Sequence, residues 1–169
     1  MKNFTGFIKG FVNRGGILVL GSSVFSKVMS LVLAVYVARV LPMESFGALS
    51  YALMIITPLI PLSGAALDFS YLRYGALIKN SEEKLALKGK LITRGTVYTL
   101  ALVALSMAVS NLIIVNQDAL NYFYILVIML VFEFWVRFIQ ASLRVDGDNA
   151  AYSISIVFRS IFLLIFTFF

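Results

Sequence analysis

Apolar residues in this chain run in long blocks rather than alternating along it. The blocks cover roughly 16–40, 46–72, 91–115, 120–143 and 150–169. Each approaches or exceeds the roughly 20 residues that an α-helix needs to cross a ~30 Å hydrocarbon core. The pattern therefore predicts an all-α fold, a polytopic transmembrane helical bundle of about five spans over residues 15–169. Ahead of it, residues 1–14 place Phe4, Phe7, Ile8, Phe11 and Val12 on one helical face, away from Lys2, Lys9 and Asn13. This suits an amphipathic segment lying in the membrane interface. A cleaved signal peptide is the competing reading, but the apolar run from Ile17 almost to Leu41 is too long for its core.

Composition agrees. The chain is 61% hydrophobic and 13% charged, against about 25% charged in soluble domains. Its mean hydropathy is +0.97, and no connection is long enough to hold a soluble domain. Cysteine and histidine are both absent, which excludes disulfides, thiolate or imidazole metal sites and Cys- or His-based catalysis. The net charge of +6 gathers at span ends, so no nucleic-acid partner is expected. Lys2, Lys9 and Arg14 precede the first span. Lys79, Lys84, Lys88 and Lys90 lie between the second and third, and Arg144 follows the fourth. The connection at 116–121 has no basic residue, and that between the first two spans has only Arg39 at its edge. The positive-inside rule then places the N-terminus in the cytoplasm.

Some polar residues fall inside the blocks, where an ionisable group costs about 2.5–3.5 kcal/mol and is a functional candidate. Glu133 and Arg137 in the fourth block are four apart, hence neighbours on one helix face, with Gln140 and Arg144 continuing the stripe. The first block lines Ser22, Ser23, Ser26, Lys27 and Ser30 along one side, and the fifth carries Arg159. In the second, Pro58 and Pro61 interrupt the middle, while Asp68 and Arg73 stand toward the cytoplasmic end. Converging, Lys27, Glu133, Arg137 and Arg159 would make a cationic, hydrated cavity suited to a phosphate or pyrophosphate. Structurally, they would instead be a Lys27–Glu133 pair, a snorkelling Arg137 and close-packing serines.

Motifs for other chemistry are weak. Asp146-Gly147-Asp148-Asn149 hints at a calcium loop, but Val157 stands where an acidic ligand is required. No P-loop, GxSxG or HExxH occurs, and Glu82-Glu83 reads as a solvated charge run. The chain is therefore expected to be neither an enzyme nor the holder of a cofactor or metal. A membrane enzyme acting on polyprenyl phosphates would need an Asp-rich metal motif that the sequence lacks.

The stretch Lys27 to Ala52 resembles the start of polysaccharide flippases, the O-antigen and capsule repeat-unit translocases of the multidrug/oligosaccharidyl-lipid/polysaccharide exporter superfamily. Ala38, Arg39, Leu41, Pro42, Glu44, Phe46, Gly47, Ser50, Tyr51 and Ala52 carry the likeness. Pro61, Gly64, Leu67, Asp68 and Arg73 extend it; the third to fifth spans match only in hydropathy and charge placement. The resemblance implies a transporter of undecaprenyl-pyrophosphate-linked oligosaccharide in the bacterial cytoplasmic (inner) membrane, working by alternating access between two pseudo-symmetric bundles. Lys27, Arg73, Arg137 and Arg159 would then bind substrate. Glu133 and Asp68 would couple an ion or pair charge, and Arg39, Pro42, Phe46 and Gly47 would be structural. Expected partners are the lipid-linked oligosaccharide and membrane lipids, with a polysaccharide polymerase and chain-length machinery nearby. The chain stops at Phe169 within apolar sequence, as expected of the N-terminal part of such a protein. A multidrug or lipid II exporter of the same superfamily, or a non-transporting membrane subunit, are the alternatives.

Overall fold

The computed structural model describes the backbone of residues 15–168 and the side chains of residues 15–161; the expected interfacial segment 1–14 lies outside the described residues. Every regular element among the described residues is helical. In chain order these are α1 (Gly16–Val40), α2 (Met43–Ile56), α3 (Leu59–Leu62), a 3-10 turn (Ser63–Ala66), α4 (Leu67–Gly75), α5 (Ser81–Ile113), α6 (Gln117–Val145) and α7 (Asn149–Phe168). The fold is an all-α helical bundle. Four segments, α1, the broken run from Met43 to Gly75, α5 and α6, are long and apolar enough to cross a membrane. Large apolar side chains point outward along them: Leu112 is 83% exposed and Met54 76%. That distribution suits lipid as the solvent and would be costly in water.

Helix α5 begins ten residues before the apolar block it contains. Its charged first turns are good helix formers, and Asn80 caps them, its side chain accepting from the Glu82 N–H at 3.0 Å. Glu82 and Glu83 then face the positive end of the helix dipole. Asn116 starts α6 in the same way, accepting from the Asp118 and Ala119 N–H groups at 2.9 and 3.1 Å. Asp148 accepts from the Ala151 N–H in the first turn of α7 at 2.9 Å. Three Asn or Asp caps thus fix where α5, α6 and α7 begin.

The chain divides into two compact units. In one, α1 packs against α7 as a parallel pair. Gly15 lies beside Asn149 at their starts, and eleven residues further along each helix the Ser160 hydroxyl donates to Ser26 Oγ at 2.8 Å. Among the described residues, Ser22, Ser153 and Ser160 are the buried polar ones here. Small hydroxyl side chains allow close approach and add a hydrogen bond where apolar burial gives little driving force in lipid.

The other unit, residues 41–145, packs α2, α5 and α6 around Ala48, Ala52, Ile56, Val103, Phe123, Val127 and Leu130. A second cluster joins Tyr71, Phe134 and Phe138, with ring centroids 5.3 Å apart for Tyr71–Phe138 and 5.9 Å for Phe134–Phe138. Phe134 fits only because Gly64 and Gly95 lack side chains; a Cβ on either would enter its ring.

Candidate functional site

The second span is not continuous. Its helix ends at Ile56, resumes as the short α3, and breaks again at the 3-10 turn. There Gly64, Ala65 and Ala66 all take left-handed conformations, with φ of 73°, 50° and 55°. For alanine each such residue costs roughly 1–2 kcal/mol, so surrounding contacts must hold the turn. The Gly64 N–H donates to Thr99 Oγ1 at 2.8 Å, and that hydroxyl donates to the Gly95 carbonyl at 2.7 Å. The prolines lie just upstream, Pro58 capping α3 and Pro61 within its single turn.

Arg137 of α6 holds the other side of the break. Its Nη2 donates to the Ser63 carbonyl at 2.9 Å and to Ser63 Oγ at 2.6 Å, while Nη1 lies 3.6 Å from Asp68 Oδ2. Asp68, in the first turn of α4, is 5% exposed. One guanidinium therefore satisfies a carbonyl released by the break and neutralises a buried carboxylate just beyond it. Asp68 Oδ1 and Arg137 Nε are buried without a hydrogen-bond partner.

Helical rise refines the depth of these charges. The sequence places Glu133 and Arg137 inside the fourth apolar block. From Gln117, at the start of α6, Glu133 lies about 24 Å and Arg137 about 30 Å along the axis. The latter is one full core thickness from the α5–α6 turn, so Arg137 and Asp68 belong near the core boundary. The apolar block alone does not reveal this, because α6 extends through 29 residues to Val145.

Lys27 and Arg159 stand differently. Each adjoins one of the bonded serines, Ser26 and Ser160, so the parallel pair brings both cations to one level. That level lies about 15 Å from the helix starts, near mid-core. Lys27 is exposed and Arg159 half-buried. The two lie in the unit of α1 and α7, whereas Arg137, Asp68, Glu133 and Arg73 lie in the other. Arg73 is exposed near the end of α4, 5.7 Å from the Tyr74 ring centroid.

The residues that carry the family resemblance divide by role. Arg39 is exposed in the last turn of α1. The Pro42 carbonyl accepts from the Phe46 N–H at 2.9 Å, opening α2. Gly47 lines a shallow hollow with Tyr51 and Asn116. Ser63, Thr99, Gly95 and Phe134 were not singled out from sequence. Gly95 and Thr99, four apart on α5, are the one signal of a close approach there.

These helices define the class of the chain as an α-helical membrane protein. Comparison with protein-family models, with curated proteins and with solved structures finds no match to it.

Proposed function

We propose that the chain belongs to an exporter that translocates undecaprenyl-pyrophosphate-linked oligosaccharide across the bacterial cytoplasmic membrane, with the N-terminus in the cytoplasm. The observation that carries this reading is the broken second span, with half-buried Arg137 facing buried Asp68 at its break. Discontinuous helices recur in secondary transporters, and freed backbone groups are tolerated in lipid only where protein or a cavity satisfies them. Pro61, Gly64, Leu67 and Asp68, which build the break, also carry the resemblance to polysaccharide flippases. Lys27 and Arg159 add two mid-depth cations suited to a pyrophosphate. The basic residues at 79–90 support the cytoplasmic N-terminus.

The test is complementation. The longest reading frame containing this chain is expressed in a bacterial strain lacking its repeat-unit flippase, and surface polysaccharide is measured. Restored export that is lost on Lys27→Gln or Arg159→Gln, with protein still in the membrane, is the expected result. Membrane-inserted protein without restored export sinks the proposal. Resistance to cationic drugs in its place favours the multidrug exporter alternative.

A further inference from the structure

The outer face of α5 carries an arrangement that the transport reading does not use. Arg94, Tyr98, Ala101, Leu105, Ala108 and Leu112 follow one another at three- and four-residue steps, and all are exposed. This is a stripe along one helix face, apolar from Leu112 to Tyr98 and then cationic. Lys90 continues it one turn beyond Arg94 and is also exposed.

Depth is set by two independent markers. From Ile113, Arg94 lies about 28 Å and Lys90 about 34 Å along the axis, so Arg94 reaches the edge of a ~30 Å core and Lys90 the headgroup layer. Trp135 of α6 is 40% exposed, and its indole N–H donates to Thr96 Oγ1 at 2.9 Å. Tryptophan concentrates at that interface, half a turn from Arg94.

Beside the stripe, Ile92, Thr93, Thr96, Val97 and Trp135 line an open groove of about 310 Å³ between α5 and α6. Its hydroxyl protons are already used, since Thr93 donates to the Gly89 carbonyl at 2.9 Å and Thr96 to that of Ile92 at 2.8 Å. The groove therefore offers a hydrocarbon surface. The neighbouring stripe offers charge: the side chains of Lys90 and Arg94, which do not themselves line the groove, have no ion pair or hydrogen bond among the described residues. The acids of α5 are confined to Glu82 and Glu83 in its first turn.

We infer that Lys90 and Arg94 bind the phosphate of an anionic glycerophospholipid, with an acyl chain lying in the groove against Val97 and Trp135. Two cations one helical turn apart match an anionic headgroup, and the apolar stripe runs from them toward the bilayer centre. A zwitterionic lipid offers the same chains but no net charge. The site depends on membrane insertion and not on what the protein transports.

The test uses the full chain purified in detergent, with native mass spectrometry or fluorescence titration reading the binding of phosphatidylglycerol and phosphatidylcholine. Phosphatidylglycerol should bind more tightly. Lys90→Gln with Arg94→Gln should weaken that binding roughly tenfold or more and leave phosphatidylcholine unchanged. Lys79→Gln with Lys88→Gln, which removes the same charge from other faces, should change it less than about threefold. Trp135→Ala should weaken both lipids, and inorganic phosphate should not displace the bound lipid. Circular dichroism confirms that each variant is folded. Equal loss in the two double variants means a diffuse cationic surface and overturns the site. So does equal affinity for the two lipids, or displacement by inorganic phosphate, which would mark an anion site without a lipid.

Discussion

Arg137 reaches Ser63 only because the chain has left helical geometry there. An unbroken helix would already use the Ser63 carbonyl, and the guanidinium would face Asp68 alone. Removing either charge of a buried pair leaves the other uncompensated, at about 3–5 kcal/mol. Arg137→Gln and Asp68→Asn should each lower the thermal unfolding midpoint in detergent, and the double variant should be less destabilised than the sum of the two. Additive losses would show that the pair at 3.6 Å is not coupled. Shape imposes a second constraint at Gly95, whose missing Cβ leaves room for the fully buried Phe134 ring. Gly95→Val should destabilise by about 1–3 kcal/mol or more through overpacking. Adding Phe134→Leu should recover part of that loss, as a double-mutant cycle in the same melting assay would report. The importance of Arg137 was legible in the sequence as a charge within an apolar block. Its contact with Ser63 was not, since 74 residues separate them and no periodicity links the two.

Among the elements, the long helices were the most legible part of the sequence, because a bilayer dictates their minimum length and apolar content. Where they begin was less so, since hydropathy ends at the lipid boundary while caps such as Asn80 lie beyond it. The break was read at Pro58 and Pro61, yet the left-handed residues are Gly64 to Ala66. A proline in the first turn of a helix displaces no hydrogen bond, so Pro58 and Pro61 are accommodated at the start of α3. The strain falls on two alanines, which carry no sequence signal. It also sets the sign of a test. Ala65→Gly or Ala66→Gly should stabilise the protein by about 0.5–1 kcal/mol, since glycine adopts a left-handed φ without a Cβ clash. Ala104→Gly, at an exposed position in the regular helix of α5, should destabilise by a similar amount. If all three changes destabilise alike, the left-handed turn is not the ground state of the second span.

For the whole molecule, the parallel packing of α1 and α7 decides how the chain threads the membrane. Helices that start on the same side must have an odd number of crossings between them. Three apolar segments lie between α1 and α7; with α5 and α6, each long and apolar enough to span, both crossing, the parallel pair requires the broken one to cross as well. A second span that dipped in and returned would leave two crossings and make the pair antiparallel, contrary to the registered contacts of Gly15 with Asn149 and Ser26 with Ser160. The chain has no native cysteine, so single cysteines with an impermeant thiol reagent give a clean readout. Met43→Cys, at the 92% exposed first residue of α2, should label from the same side as Asn116→Cys. Lys79→Cys and Asp148→Cys should label only from the other. The basic residues around Lys79 make that other side the cytoplasm, so intact cells should expose Met43→Cys and Asn116→Cys alone. Labelling of Met43→Cys together with Lys79→Cys would mean the broken span is re-entrant, and the transport reading, which needs the break within a crossing helix, would fall with it.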